Sequence, residues 1–166
     1  MNRTMGGQFF RLISLLSEIK MVQSSDRIQK MVFILKNEGV PFDEKYTYYH
    51  IGPYSSDLQL EIRDLIEQNI LETDKETPQT IKLKLISDIE GDPEISTKRG
   101  LINFLSDLDK NDLEIVSTIY YLKDLGYTNE DQIKFKIQAL KPDLRERIES
   151  GFKNYERIKE NHFVEC

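Results

Sequence analysis

Residues 46–57, YTYYHIGPYSSD, leave this chain few ways to fold. Tyr46, Tyr48 and His50 alternate with Thr47, Tyr49 and Ile51, which is the period of a half-buried strand. Gly52-Pro53 reads as the end of that strand, because proline cannot continue a ladder and glycine tolerates the turn. Ser56, with Gln59 three residues on, reads as a capping box opening a helix over 57–68.

The flanking patterns extend this core. Phe9, Leu12, Ile13, Leu16 and Ile19 form one face of a first helix. Ser24-Ser25-Asp26 offers caps for a second, with Ile28, Met31, Val32 and Leu35 inward and Gly39 at its end. In the third helix Leu58, Ile62, Leu65 and Ile66 make the buried stripe. Residues 70–73 and 80–86 read as paired strands joined by the polar loop DKETPQ. Helix, helix, strand, helix and hairpin is the order of a winged helix, predicted here over 1–86. Residues 87–96 (SDIEGDPEIS) look like a linker.

From 97 to 166 the pattern is helical. Leu101, Phe104, Leu105 and Leu108 suit one helix, and Leu113, Val116, Ile119 and Tyr120 a second ending at Gly126. Thr128-Asn129 caps a third, carrying Ile133, Ile137 and Leu140. Pro142 suits the first turn of the last, with Leu144, Ile148, Phe152, Tyr155 and Ile158 inward and Arg145–Glu149–Lys153 paired outside. The predicted class is mostly α with a small antiparallel β-wing: a winged helix followed by an α-helical subdomain.

Composition narrows the function. No apolar run approaches the ~18 residues that span a bilayer, and Ser14, Ser17 and Glu18 interrupt the N-terminal apolar stretch, which also lacks a cleavage-site pattern. The single cysteine, Cys166, rules out an internal disulfide and suits a reducing, prokaryotic cytoplasm. Net charge is −6, and residues 57–95 hold eleven acidic side chains against four basic. A strong non-specific nucleic-acid binder ordinarily shows a basic excess.

Three chemical readings are weighed against plainer ones. His50, Ser55 or Ser56, and Asp57 contain the residue types of a nucleophilic site. A capping serine, a first-turn aspartate and a packed histidine account for them more simply. His50, His162 and Cys166 are too few and too dispersed for a four-ligand zinc site. No glycine-rich phosphate cradle is present. The sequence therefore points to a non-enzymatic protein without metal or cofactor.

Three segments carry a family likeness: Ile28-Gln29-Lys30-Met31-Val32-Phe33, Gly39-Val40-Pro41-Phe42 and Tyr48-Tyr49-His50-Ile51-Gly52-Pro53-Tyr54-Ser55. With Asp112-Leu113-Glu114, Ile119-Tyr120-Tyr121-Leu122 and Leu140-Lys141-Pro142, they resemble the YwgA-like family of prokaryotic proteins. The likeness spans nearly the whole chain and implies a winged helix more than a function. The first half is also distantly similar to the Panacea-type antitoxin domain, which would imply an antitoxin-like or defence-associated role.

Two functions remain in competition. A DNA-reading winged helix lays its third helix in the major groove. Gln59 and Arg63 could read bases, with Arg27, Lys30, Lys82 and Lys84 on phosphates. Against this, Asp57, Glu61 and Asp64 fall along one flank of that helix and would face the phosphates. The alternative is a regulatory adaptor that binds a protein partner around Tyr48, His50, Gly52, Pro53, Tyr54 and Ser55. The neighbouring Tyr46 and Tyr49 belong to the same aromatic cluster, and packing beneath the helices is the simpler role for Tyr48 and Tyr54. The charge distribution favours the adaptor, with DNA-binding regulation second.

Overall fold

The computed structural model describes residues 8–49, 52–84 and 91–160. Helix α1 (Gln8–Ile19) buries Leu12, Ile13, Leu15 and Leu16. Lys20 turns the chain with a left-handed φ of 67°, and a two-residue strand, β1 (Met21–Val22), follows. Helix α2 (Ser25–Asn37) begins at the serines, where Ser24 Oγ accepts from the Arg27 N–H. It ends before Gly39, whose φ of +102° glycine adopts without a Cβ penalty. Every residue of α2 from Ile28 to Leu35 is buried, so α2 is the central rod and is not an amphipathic surface helix.

Residues 40–46, outside any helix or strand, form a strap leading to β2 (Thr47–Tyr49), which pairs antiparallel with β3 (Gly52–Tyr54). One expectation is corrected here. Gly52-Pro53 does not end the sheet but supplies the returning strand of a tight ribbon, with Pro53 opposite Tyr48. Opposed pairs in an antiparallel ladder alternate between bonded and non-bonded. Pro53 has no N–H to exchange, so the bonds fall on the flanking pairs, Thr47 with Tyr54 and Tyr49 with Gly52. His50 lies outside the described residues.

Helix α3 (Ser56–Glu67) leads into β4 (Leu71–Thr73) and β5 (Ile81–Leu83), the expected hairpin. The sheet gains β1 as an outer strand, giving the order β1-β5-β4. The expected linker is also corrected over its described part. Asp92 caps α4 (Pro93–Ser96) by accepting from the Glu94 N–H, and pairs with Arg11 at 2.7 Å. Its own N–H donates to Ser14 Oγ, and Ile95 is fully buried in the main core. An Asp-Pro step is a helix start as readily as a loop.

Helices α5 (Arg99–Asp107), α6 (Lys110–Asp124) and α7 (Glu130–Leu140) follow the predicted stripes, with Asn129 capping α7, except that Leu140, expected in the stripe, is exposed at the last position of α7. Pro142 opens a 3₁₀ segment (Pro142–Arg147) before α8 (Ile148–Lys159). That tighter turn breaks the expected Arg145–Glu149 spacing, and Glu149 instead meets Lys134 of α7 at 3.1 Å. One buried cluster runs from α1, α2 and α3 through α5 and α6 to Ile158, so the described parts of 1–86 and 97–166 share a core. A smaller cluster joins α6, α7 and α8. The molecule is mostly helical with a little antiparallel sheet. No helix among the described residues is long and apolar enough to cross a membrane.

Candidate functional site

Helix α3 is held by its first residues. The cap is Ser55 and not Ser56: its Oγ accepts from the Leu58 N–H at 3.2 Å, and the residue is fully buried. Leu58 occupies the third position, so the expected capping box with Gln59 does not form. The Gln29 side chain, buried in α2, pairs with the Ser55 backbone as another peptide would. Its Nε2 donates to the Ser55 carbonyl and its Oε1 accepts from the Ser55 N–H, both at 2.8 Å. The Tyr46 hydroxyl donates to the Gln29 carbonyl at 3.0 Å. Replacing Ser55 by alanine is expected to lower stability by about 0.5–2 kcal/mol, while Ser56→Ala stays within about 0.5 kcal/mol. Paired urea melts check this, and equal midpoints for the two variants would contradict it.

The surface proposed from sequence around Tyr48 turns inward. Gly52, Pro53 and Ser55 are buried, and Tyr54 is half-buried. The Tyr48 ring lies on Tyr121 with centroids 4.8 Å apart, and Lys141 Nζ stands 5.7 Å from its centroid. Lys141 is itself buried in an ion pair with Glu114 at 2.7 Å. Gly52 needs its glycine for a φ of +119°, which a side chain would strain. These residues join the ribbon to α6 and seat α3. The Ser55 hydroxyl, enclosed and committed to its cap, is not presented as a nucleophile.

The open surface is the opposite face of α3. Leu58, Ile62 and Leu65 are buried as expected, but Glu61 joins them and is only 6% exposed. It faces Glu44 of the strap, which is 0% exposed. Burial and the neighbouring Glu44 carboxylate push Glu61 up to about 9. The expected stripe of three carboxylates therefore loses its middle member. Asp57, Leu60, Arg63, Asp64 and Glu67 remain exposed, and Leu60 is 51% exposed at the centre of that face. Sequence reasoning missed Leu60 because it looked for charges; the apolar residue off the buried stripe was the available signal.

The residues named for DNA divide in two. Arg27 and Lys30 are committed inside the fold. Arg27 donates to the Leu105, Ser106 and Leu108 carbonyls, closing the C-terminus of α5. Lys30, 3% exposed, is bonded to Asp26 at 2.6 Å. Neither presents its charge as phosphate contact requires, and the cleft of about 490 Å³ beside them holds Asp107, Asp109 and Lys110 as well, a mixture of both signs. Gln59 and Arg63 do line a groove of about 500 Å³ between α3, the hairpin and the start of α2. Lys82 sits across from Glu72, and Lys84 is exposed just beyond β5.

No protein-family model matches the chain, and no solved structure matches it. One curated relative, the uncharacterised protein YwgA of Bacillus subtilis, is 26% identical over 158 residues, covering 90% of this chain and 95% of that protein. This similarity, extending along almost the full length of both, supports a place for the chain among YwgA-like proteins.

Proposed function

We propose that this chain is a non-catalytic, winged-helix regulatory adaptor that binds a protein partner through the exposed face of α3. The order α1, β1, α2, α3, β4, β5, with β1 beside β5, supports the winged-helix reading; the β2–β3 ribbon is an insertion between α2 and α3. The observation that carries the partner reading is the face itself. Asp57, Leu60, Asp64 and Glu67 share it at helical spacing, with Arg63 as the cation beside them. An apolar centre ringed by carboxylates suits a basic-rimmed protein surface and opposes phosphates. The antitoxin-like role rests on the distant resemblance alone.

DNA-binding regulation is the second reading, favoured by the groove that gathers Gln59 and Arg63 with the serines at the start of α2. Burial of Glu61 also removes one charge that had counted against it. A mobility-shift titration with random duplex at physiological salt separates the two. Micromolar or weaker binding is expected, because few cations on this face can release counterions. Submicromolar binding that falls on Arg63→Ala or Lys84→Ala would make the protein a DNA-binding regulator.

A further inference from the structure

Along the strap, Val40, Phe42 and Glu44 turn inward at alternate positions while Pro41, Asp43 and Lys45 stay exposed. The third inward position of such a run is ordinarily apolar. Here it is a carboxylate that meets Glu61 of α3. All four oxygens of the pair are buried and have no hydrogen-bond donor among the described residues. The neighbouring groups do not supply one. Asp43 on the strap and Asp57 on α3 add negative potential. The Tyr46 hydroxyl is spent on the Gln29 carbonyl, and Lys36 of α2 directs Nζ to the Glu44 backbone carbonyl. Two buried carboxylates without a cation are tolerable when a proton lies between them, one acid donating to the other's oxygen.

We propose that Glu44 and Glu61 share one proton, and that this proton latches the 40–46 strap to α3 and releases it when lost in alkaline solution. The raised affinity of Glu61 for its proton agrees with this arrangement. The folded value, about 9, stands above the unfolded carboxyl value. The latch's stabilisation is therefore complete below the unfolded value, declines as pH rises, and is gone above about 9. Opening would reach the base of α3, because Tyr46 at the strap's end supports Gln29, which holds Ser55. This inference does not depend on what α3 binds.

Amide exchange of the full chain, corrected for the intrinsic pH dependence of exchange, tests the latch in residues 40–46. Protection in the wild type is expected to fall about tenfold per pH unit between the unfolded carboxyl value and about 9, the slope for one proton, and to level off above it. Glu61→Gln, which keeps a donor between the two side chains, should hold its protection over the same range. Its Tm should rise relative to wild type between pH 4.5 and pH ~9, the window the shift defines. A flat wild-type profile, or a parallel loss in Glu61→Gln, would overturn the proposal. If Glu61→Gln does not fold, Glu44→Gln and the wild-type profile decide. A wild-type Tm raised by millimolar calcium or magnesium at pH 9, but unchanged in Glu61→Gln, would overturn it as well, since a cation and not a proton would then fill the pair.

Discussion

Replacing Gln29 by alanine is expected to destabilise the protein by about 1.5–4.5 kcal/mol, more than loss of the serine cap it supports. The truncation leaves the Ser55 N–H buried and unpaired, at about 1–3 kcal/mol, and removes one of the two bonds to its C=O, which keeps the Gln59 N–H, at about 0.5–1.5 kcal/mol. Both bonds measure 2.8 Å, and both ends are buried. Alanine is the better helix former, so propensity would not mask the loss. Chemical denaturation of Gln29→Ala beside Ser55→Ala measures the difference. A Gln29→Ala variant as stable as wild type would show that the amide does not seat α3.

Gly151→Ala should also destabilise, although an alanine inside a helix usually gains about 1 kcal/mol over glycine. A Cβ at position 151 would lie 2.1 Å from Ile115 Cγ2 and 2.9 Å from its Cβ, so α8 could not keep its distance from α6. Overpacking of this kind costs about 1–3 kcal/mol, which leaves a net loss of up to about 2 kcal/mol. A double-mutant cycle with Ile115→Ala isolates the cause. Removing Cγ2 takes away the larger overlap, so Gly151→Ala should become neutral or stabilising in that background. The same loss in both backgrounds would place the cost elsewhere.

The features legible in the sequence were those whose causes are local. Ser24 and Asn129 cap the helices they precede, and Gly39 and Gly126 end the helices before them with positive φ. Stripes such as Leu58, Ile62 and Leu65 were legible because helical spacing needs no knowledge of the partner. What was not legible depends on distant contacts. β1 has two residues and no period, and exists because β5 offers it an edge. Pro53 belongs to a strand because its missing N–H falls on a non-bonded pair, which is a matter of register. Arg27 and Lys30 looked like free cations until α5 and Asp26 were placed beside them. Glu61 looked like a surface acid; only the strap, bringing Glu44 across from α3, shows otherwise.

The candidate face followed the same division. Asp57, Asp64, Gln59 and Arg63 were legible as exposed or half-exposed positions of α3, while the tyrosine element offered as a surface serves mainly as its support. Leu60 then becomes the residue on which the partner reading turns.

Co-purification of the tagged full-length protein, after nuclease treatment, with wild type and Leu60→Asp compared at equal expression and equal Tm, tests that reading most directly. A stoichiometric protein partner that survives the nuclease and is lost with Leu60→Asp is expected. The loss should be about 30-fold in affinity or more, as for a central apolar anchor worth about 2 kcal/mol. Recovery of duplex DNA in place of a protein, abolished by Arg63→Ala and indifferent to Leu60→Asp, would contradict it.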